Sequence, residues 1–181
     1  YGYFTPSLGA QGTAYSLSNS AQNGFSQSQP SMIDPILDLD TGLNFDRSFG
    51  VLNKNYEQTL TPRLFYLYVP YRDQNNFPSF DSSIIEFNYA SLFSTNRFNG
   101  LDRQGDANQL TYALSTSLND DQGNELWDAG VGQIAYFQNR QVSLCQSTPG
   151  NNCLYSENPD YNQAFSDIAA QTDLWLTRDL K

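Results

Sequence analysis

The chain has 181 residues, and its 9 Lys and Arg against 19 Asp and Glu give a formal net charge of −10, which would repel a phosphodiester backbone and argues against a nucleic-acid partner. It has no His, the usual general base and the commonest zinc ligand, which argues against an enzyme. No apolar run is long enough for a transmembrane helix, while 12 Tyr and 12 Phe favour strands, so only a β-barrel could cross a membrane.

Alternation of apolar and polar residues predicts six strands, taken here in chain order. They are 3–17, 35–47, 56–69, 108–118, 125–138 and 166–176. The first alternates weakly and the second strictly, with Asp38 and Asp40 on its polar side. The third contains Pro62, which lacks an amide donor and predicts a bulge or a late strand start. Strand-like patterns at both ends of the chain suggest a piece of something longer.

The connections between these strands alternate in length. Segments 18–34, 71–106 and 138–162 are long, whereas 48–55 and 119–124 are short. Outer-membrane barrels join their strands in this way, with apolar side chains toward lipid and polar ones toward the lumen. We therefore predict an all-β fold, an antiparallel meander from a large transmembrane β-barrel, with the long segments as external loops. Six strands are too few to close a membrane barrel, so further strands are needed.

Every second side chain along these strands is predicted to face lipid. This set comprises Leu37, Leu39, Leu43, Leu110, Tyr112, Leu114, Val131 and Phe137. Two alternatives remain open from the pattern alone. A soluble carbohydrate-binding β-sandwich explains the composition but not the alternating loop lengths, and a general porin-like barrel explains both.

Three smaller features suggest local chemistry. Cys145 and Cys153 enclose a Pro-Gly turn, so a local disulfide is plausible in an oxidising compartment. The segment 119–125, NDDQGNE, is rich in oxygen ligands but lacks the spacing of a calcium loop, and we interpret it as a hairpin turn. Asp38 and Asp40 resemble a carboxylate pair but fit better as polar residues facing a wet lumen.

Two longer strings point to a known family. LTPRLFYLYVPYRDQNNFPSFDSS covers 60–83 and SLFSTNRFNGLDRQGDANQ covers 91–109, with FDR upstream at 45–47 and VGQIAYF downstream at 131–137. In this order and spacing they resemble the LptD (organic solvent tolerance) family, and the resemblance runs from about residue 6 to residue 176. The family motif in and beside the longest loop includes Tyr68, Pro70, Tyr71, Arg72, Asp73, Asp81, Arg97, Asp102, Arg103 and Asn108.

The resemblance implies a large barrel of the bacterial outer membrane that assembles lipopolysaccharide in the outer leaflet, without a cofactor. It also implies an LptE-like lipoprotein plug in the lumen, and periplasmic bridge proteins that act through an N-terminal domain outside this segment. Opposite charges in the loop 71–106 are expected to pair and hold it over the barrel mouth. Such a loop either packs on itself, the interpretation we favour, or lines the exit path and contacts the plug.

Overall fold

The computed structural model describes residues 1–18, 27–52, 54–144 and 161–175. Within these ranges the protein is all-β apart from one short 3₁₀ turn, Ala90–Phe93. The strands are β1 (Gly2–Ala14), β2 (Ser31–Leu43), β3 (Phe45–Val51), β4 (Lys54–Val69), β5 (Ser83–Ile84), β6 (Phe98–Asn99), β7 (Ala107–Asp120), β8 (Glu125–Tyr136) and β9 (Ala169–Leu174).

One antiparallel sheet holds the strands in nearly their chain order. Its path is β1-β2-β4-β7-β8-β9, and β3 pairs with β4 beyond the end of β2. β5 and β6 form a separate small ribbon inside the longest loop. The all-β antiparallel prediction is confirmed. Over the described residues the sheet is open, with β1 and β9 at its two edges, which is compatible with a piece of a barrel.

Helical structure in the described ranges is limited to the 3₁₀ turn Ala90–Phe93. None of it has both the length and the hydropathy that a membrane-crossing helix requires.

Pro62 explains why the second predicted strand is split into β2 and β3. β4 runs through Pro62 without a register shift, and its ladder with β7 is unbroken at the pair Pro62 and Leu114. The missing amide donor of Pro62 must therefore point toward the other neighbour. On that side the pairing stops after Gly42 and resumes at Phe45 in the same register. The prediction of a bulge or a late start in β4 was wrong, because the gap appears in the partner strand.

The strand that follows this gap is longer than predicted. β3 continues to Val51, which pairs with Lys54, so the connection is a tight hairpin and not the segment 48–55. Leu52 in this turn has a φ of 51°. At the other end of the chain β9 is shorter than the predicted strand 166–176.

Register divides the sheet into two faces of different character. Leu37 pairs with Tyr68 and Tyr66 with Leu110, so these side chains lie on one side, which we call the apolar face. The opposite side, which we call the covered face, carries Phe65, the pairing partner of Thr111, and their alternate neighbours. Every buried strand residue that builds the core belongs to the covered face, namely Phe65, Leu67, Val69, Ala107, Ile134 and Ala169.

Candidate functional site

The apolar face is a continuous hydrophobic surface across six strands. Leu114 of β7 is 42% exposed and its partner Val131 of β8 is 44% exposed. On β1, Phe4 and Leu8 are more exposed still. Soluble monomers rarely expose contiguous apolar patches larger than a few hundred Å². This surface therefore requires an apolar environment or partner.

All of the residues predicted to face lipid share this face. Leu37, Leu43, Tyr112, Leu114, Val131 and Phe137 are exposed, and Leu39 and Leu110 are half-buried. Phe137 follows directly after the last residue of β8. Strand pairing thus brings together on one surface residues that the sequence shows only as a periodic pattern. That lipid surrounds this surface remains a proposal.

The covered face is roofed by the segment 70–106, which we call the cap. The 3₁₀ turn of the cap sits over β8, where Gly132 leaves room for Leu92 and Gly130 for Tyr89. An added Cβ at Gly132 would lie 2.8 Å from Leu92 Cδ1. The buried Thr111 hydroxyl donates to the Leu92 carbonyl at 2.7 Å. The cap is therefore fixed to the sheet by packing and by a hydrogen bond.

A salt-bridged arginine of the sheet also contacts the cap. Arg63 forms a salt bridge with Asp40, with Nη2 2.6 Å from Oδ2. The same guanidinium lies over the Phe93 ring of the cap, 3.7 Å from its centroid. The interpretation of Asp40 as one half of a catalytic carboxylate pair is therefore not supported, because its carboxylate is engaged by Arg63.

Asp102 ties the start of the cap to the loop after β1. Its carboxylate accepts a hydrogen bond from the Tyr15 hydroxyl and, at 2.6 and 3.0 Å, from the backbone amides of Phe80 and Asp81. Burial opposes ionisation of Asp102, but these hydrogen bonds outweigh it and hold the pKa of Asp102 below its ordinary value. Burial and the bond to Asp102 both raise the pKa of Tyr15. The two groups therefore stabilise each other as carboxylate and neutral phenol.

Arg103 is almost completely buried and binds backbone carbonyls from two loops. It donates to the carbonyls of Phe77 at 2.7 Å and Pro78 at 2.9 Å within the cap. It also donates to the Ser143 carbonyl at 3.2 Å, in the loop after β8. A planar guanidinium with five donors suits this task, which a lysine could not perform. Beside it, Gln74 and Gln104 exchange buried hydrogen bonds across the cap.

Arg97 and Asp106 form an ion pair of the kind expected among the opposite charges of this loop. Arg97 Nη2 lies 2.9 Å from Asp106 Oδ1 and also donates to the Val142 carbonyl. Asp106 accepts the backbone amides of Gln141 and Val142 as well. Burial lowers the pKa of Arg97, and the Asp106 carboxylate opposes that shift. The loop passes close to this side chain at Gly105, where an added Cβ would lie 2.6 Å from Arg97 Nη1.

The other motif residues lie at the ends of the strands or on the surface of the cap. Tyr68 is on the apolar face, and Pro70 follows directly after β4. Asn108 accepts a hydrogen bond from the Tyr66 hydroxyl at 3.0 Å. Tyr71, Arg72, Asp73 and Asp81 are exposed. The structure therefore brings Arg97, Asp102, Arg103 and Asp106 together in one network, to which Asp81 contributes its backbone amide. Arg72 and Asp73 lie at the surface.

Some contributors could not be identified from the sequence. Tyr15 looked like an ordinary strand residue, and nothing near it in the sequence points to Asp102. Gly130 and Gly132 are a sequence signal for the contact with the cap, because glycines in a strand often mark a place where another part of the chain approaches closely.

Two local predictions have different outcomes. The hairpin turn at 119–125 is confirmed, since Asp120 Oδ1 accepts the amides of Gln122 and Asn124, and Gly123 has a φ of 81°. Cys145 and Cys153 lie outside the described residues, so their disulfide remains a prediction.

Comparison with known proteins identifies close relatives along the chain. The family profile described as "LptD: LPS transport system D" matches residues 1–181. The LPS-assembly protein LptD of Francisella tularensis subsp. tularensis is 43% identical over 169 residues, which are 92% of this chain and 19% of the relative. Its counterpart in Legionella pneumophila strain Lens is 45% identical over 161 residues, 88% of this chain and 19% of the relative.

A third relative is more distant but matches more of the chain. The LPS-assembly protein LptD of Pseudomonas putida strain W619 is 38% identical over 192 residues, 99% of this chain and 20% of the relative. The chain therefore spans about a fifth of the length of these curated relatives.

Proposed function

Because the chain belongs to the LptD family, described as LPS transport system D, we propose that it is a central segment of a bacterial outer-membrane β-barrel that assembles lipopolysaccharide in the outer leaflet. The family is named for transport, and the segment contributes a wall and part of a cap without covalent chemistry. The observation that carries this proposal is the division of one sheet into an exposed apolar face and a face roofed by its own loop.

The apolar face is proposed to meet lipid. Its exposed side chains run along β4 from Leu60 to Tyr68. At about 3.4 Å per residue this stretch is about 27 Å long, and on a strand tilted by about 40° it covers about 20 Å, most of the roughly 25 Å apolar band of outer-membrane barrels. Neighbouring strands repeat the same band, because their residues are paired without a register shift over this region. Hydrocarbon on this side supplies the apolar surroundings that the exposed leucine side chains need.

The covered face is proposed to meet the lumen. Below the cap it carries short polar side chains such as Ser7, its partner Asp38, and Ser117 opposite Asp128. A polar wall keeps the sugar and phosphate parts of lipopolysaccharide solvated, while acyl chains leave into lipid. An LptE-like lipoprotein in the lumen, and bridge proteins on a periplasmic domain outside this segment, are the proposed partners.

The cap is proposed to act first as a structural closure. Asp102, Arg103 and Asp106 all bind groups of the cap or of the loops beside it. Such a network fixes shape, as buried and fully hydrogen-bonded charges do. The exposed residues Tyr71, Arg72 and Asp73 remain available on its surface for the lipoprotein or for the exit path.

The alternatives are less favoured. A soluble β-sandwich would pack a second sheet against the apolar face, yet Leu37, Leu114 and Val131 are exposed. A general porin-like barrel has the same two faces, but the family match extends over the whole chain.

Depletion of the full-length protein in its own organism tests this function. Newly made lipopolysaccharide is expected to stop reaching the cell surface and to return when the protein is expressed again. The measurement is the rate at which pulse-labelled lipopolysaccharide becomes accessible to a surface enzyme. Unchanged delivery during complete depletion contradicts the proposal.

A further inference from the structure

A cavity lies between the cap and the covered face, away from the lipid-facing surface. Its volume is about 320 Å³, within the range of small-molecule sites. The floor comes from the sheet, where Leu67, Gln109 and Tyr136 stand in register on β4, β7 and β8. The roof comes from the cap, where Phe98 closes one side.

Gln109 is the unusual group in this floor. The residue is about nine-tenths buried, and it lines the cavity. A side-chain amide offers two N–H donors and one acceptor oxygen. Because Gln109 lines the cavity, these groups can hydrogen-bond to a molecule inside it.

Both guanidinium groups of the lining are already engaged. Arg97 binds Asp106 and the Val142 carbonyl. Arg140 stacks over the Tyr136 ring, 3.6 Å from its centroid, and donates to the Gln163 carbonyl. An anionic ligand therefore finds no guanidinium left to neutralise it and also meets the carboxylate of Asp167, so an uncharged ligand fits better than an anionic one.

The mouth of the cavity is apolar on the side where the protein would otherwise meet water. Ile84 is 48% exposed, Phe87 43% and Phe165 55%. Inside, Ile134 and Leu67 continue the same surface. These side chains favour an alkyl chain over a free sugar, which would need several polar partners.

We propose that this cavity binds a small uncharged amphiphile, an alkyl chain with a hydroxyl or amide group that hydrogen-bonds to Gln109. The chain lies against Ile134 and Leu67 and leaves past Phe87. Nothing in this proposal depends on which face of the sheet meets lipid.

A photoreactive fatty alcohol added to the full-length protein in nanodiscs tests the proposal. Cross-links located by mass spectrometry are expected on peptides that line the cavity. A fatty acid of the same length and a glucose derivative that carry the same photoreactive group are expected to label these peptides weakly. Gln109→Leu keeps the size and removes the amide, so labelling is expected to fall about 2- to 10-fold, the worth of one hydrogen bond. Ile134→Trp fills the cavity and is expected to reduce labelling more than about 10-fold.

Matched variants distinguish labelling inside the cavity from labelling by alcohol dissolved in the membrane. Ala135→Trp places the same ring on the apolar face and is expected to leave cavity labelling unchanged. Phe87→Ala alters only the exposed mouth, so it decides the question if Ile134→Trp fails to fold. Cavity labelling that is absent, that survives both Ile134→Trp and Phe87→Ala, or that is equal for the fatty acid overturns the proposal.

Competition identifies the source of the ligand. If excess lipopolysaccharide displaces the alcohol, the natural ligand of the cavity is part of lipopolysaccharide. If it does not displace the alcohol, the natural ligand is a separate small amphiphile. Either result supports a ligand that consists of an alkyl chain with a hydroxyl or amide group. Because the measurement needs no transport, its failure is distinguishable from failure of the depletion experiment.

Discussion

The Tyr15 hydroxyl donates a hydrogen bond to the carboxylate of Asp102, 87 residues further along the chain. The bond joins the loop after β1 to the cap, and the same carboxylate holds the amides of Phe80 and Asp81. Two loops that are distant in sequence therefore depend on one side chain.

Tyr15→Phe is expected to loosen the cap without removing its packing. The rings of Phe77 and Phe80 lie 6.1 and 6.0 Å from that of Tyr15, and a phenylalanine keeps both contacts. Loss of a hydrogen bond to a charged group costs about 1.5–3 kcal/mol. Hydrogen exchange at the amides of Phe80 and Asp81 is expected to become roughly 10- to 100-fold less protected. Unchanged protection at both amides would show that the bond contributes nothing.

The same pair predicts how cap stability depends on pH. The pKa of Asp102 is lowered from 3.8, so its contribution is present above that value and is lost as the pH falls through the lowered one. The pKa of Tyr15 is raised from 10.0, so its contribution is present below that value and is lost as the pH rises through the raised one. Protection factors of Phe80 and Asp81 are expected to fall only below about pH 4.

On the alkaline side, tyrosinate absorbance isolates Tyr15. The difference between titrations of the native protein and Tyr15→Phe is expected to show one tyrosine ionising above pH 10, the ordinary value. An ordinary midpoint would contradict the proposed burial and bonding of this hydroxyl.

Gly132→Ala is expected to lift the cap from β8. The new Cβ would lie 2.8 Å from Leu92 Cδ1 and 2.9 Å from the Ala113 Cβ. Overpacking of this kind costs about 1–3 kcal/mol, measured as the free energy of unfolding in guanidinium. Gly12→Ala is the control, because nothing lies within 4 Å of its added Cβ. Equal effects of the two substitutions would mean that the contact between Leu92 and Gly132 is unimportant.

Leu114→Arg is expected to destabilise the protein in bilayers. A charged side chain on the lipid face of a barrel costs about 2–4 kcal/mol near the midplane. Ser117→Arg, on the covered face opposite Asp128, is expected to change stability by less than about 0.5 kcal/mol. Unfolding titrations of both full-length variants in the same vesicles measure the difference. A cost for Ser117→Arg that equals or exceeds that for Leu114→Arg contradicts the assignment of the faces.

The strands could be predicted from the sequence because their signal is local. Leucines at 37, 39 and 43 alternate with Asp38 and Asp40, and side chains of a strand alternate between faces by geometry alone. Pro62 was recognised as a missing donor, but a single strand cannot show which neighbour loses the bond. That direction became visible only when the ladder with β7 was found intact.

The cap could not be predicted in the same way. Charge content of the loop suggested ion pairs, and Arg97 with Asp106 fits that expectation. Arg103, however, binds the carbonyls of Phe77 and Ser143, and carbonyls carry no sequence signature. Contacts between residues as far apart as Tyr15 and Asp102 arise from the folded sheet and not from any local pattern.

Site-directed spin labels at Leu8 and Ser7 test the central assignment most directly. These neighbours lie on opposite faces of β1, where Leu8 pairs with Leu37 and Ser7 with Asp38, and both are exposed. In full-length protein reconstituted into bilayers, the label at Leu8 is expected to collide more with oxygen dissolved in lipid, and the label at Ser7 more with a water-soluble nickel chelate. The reverse order, or a label at Leu8 shielded from both reagents, would contradict the two-faced wall proposed for this segment.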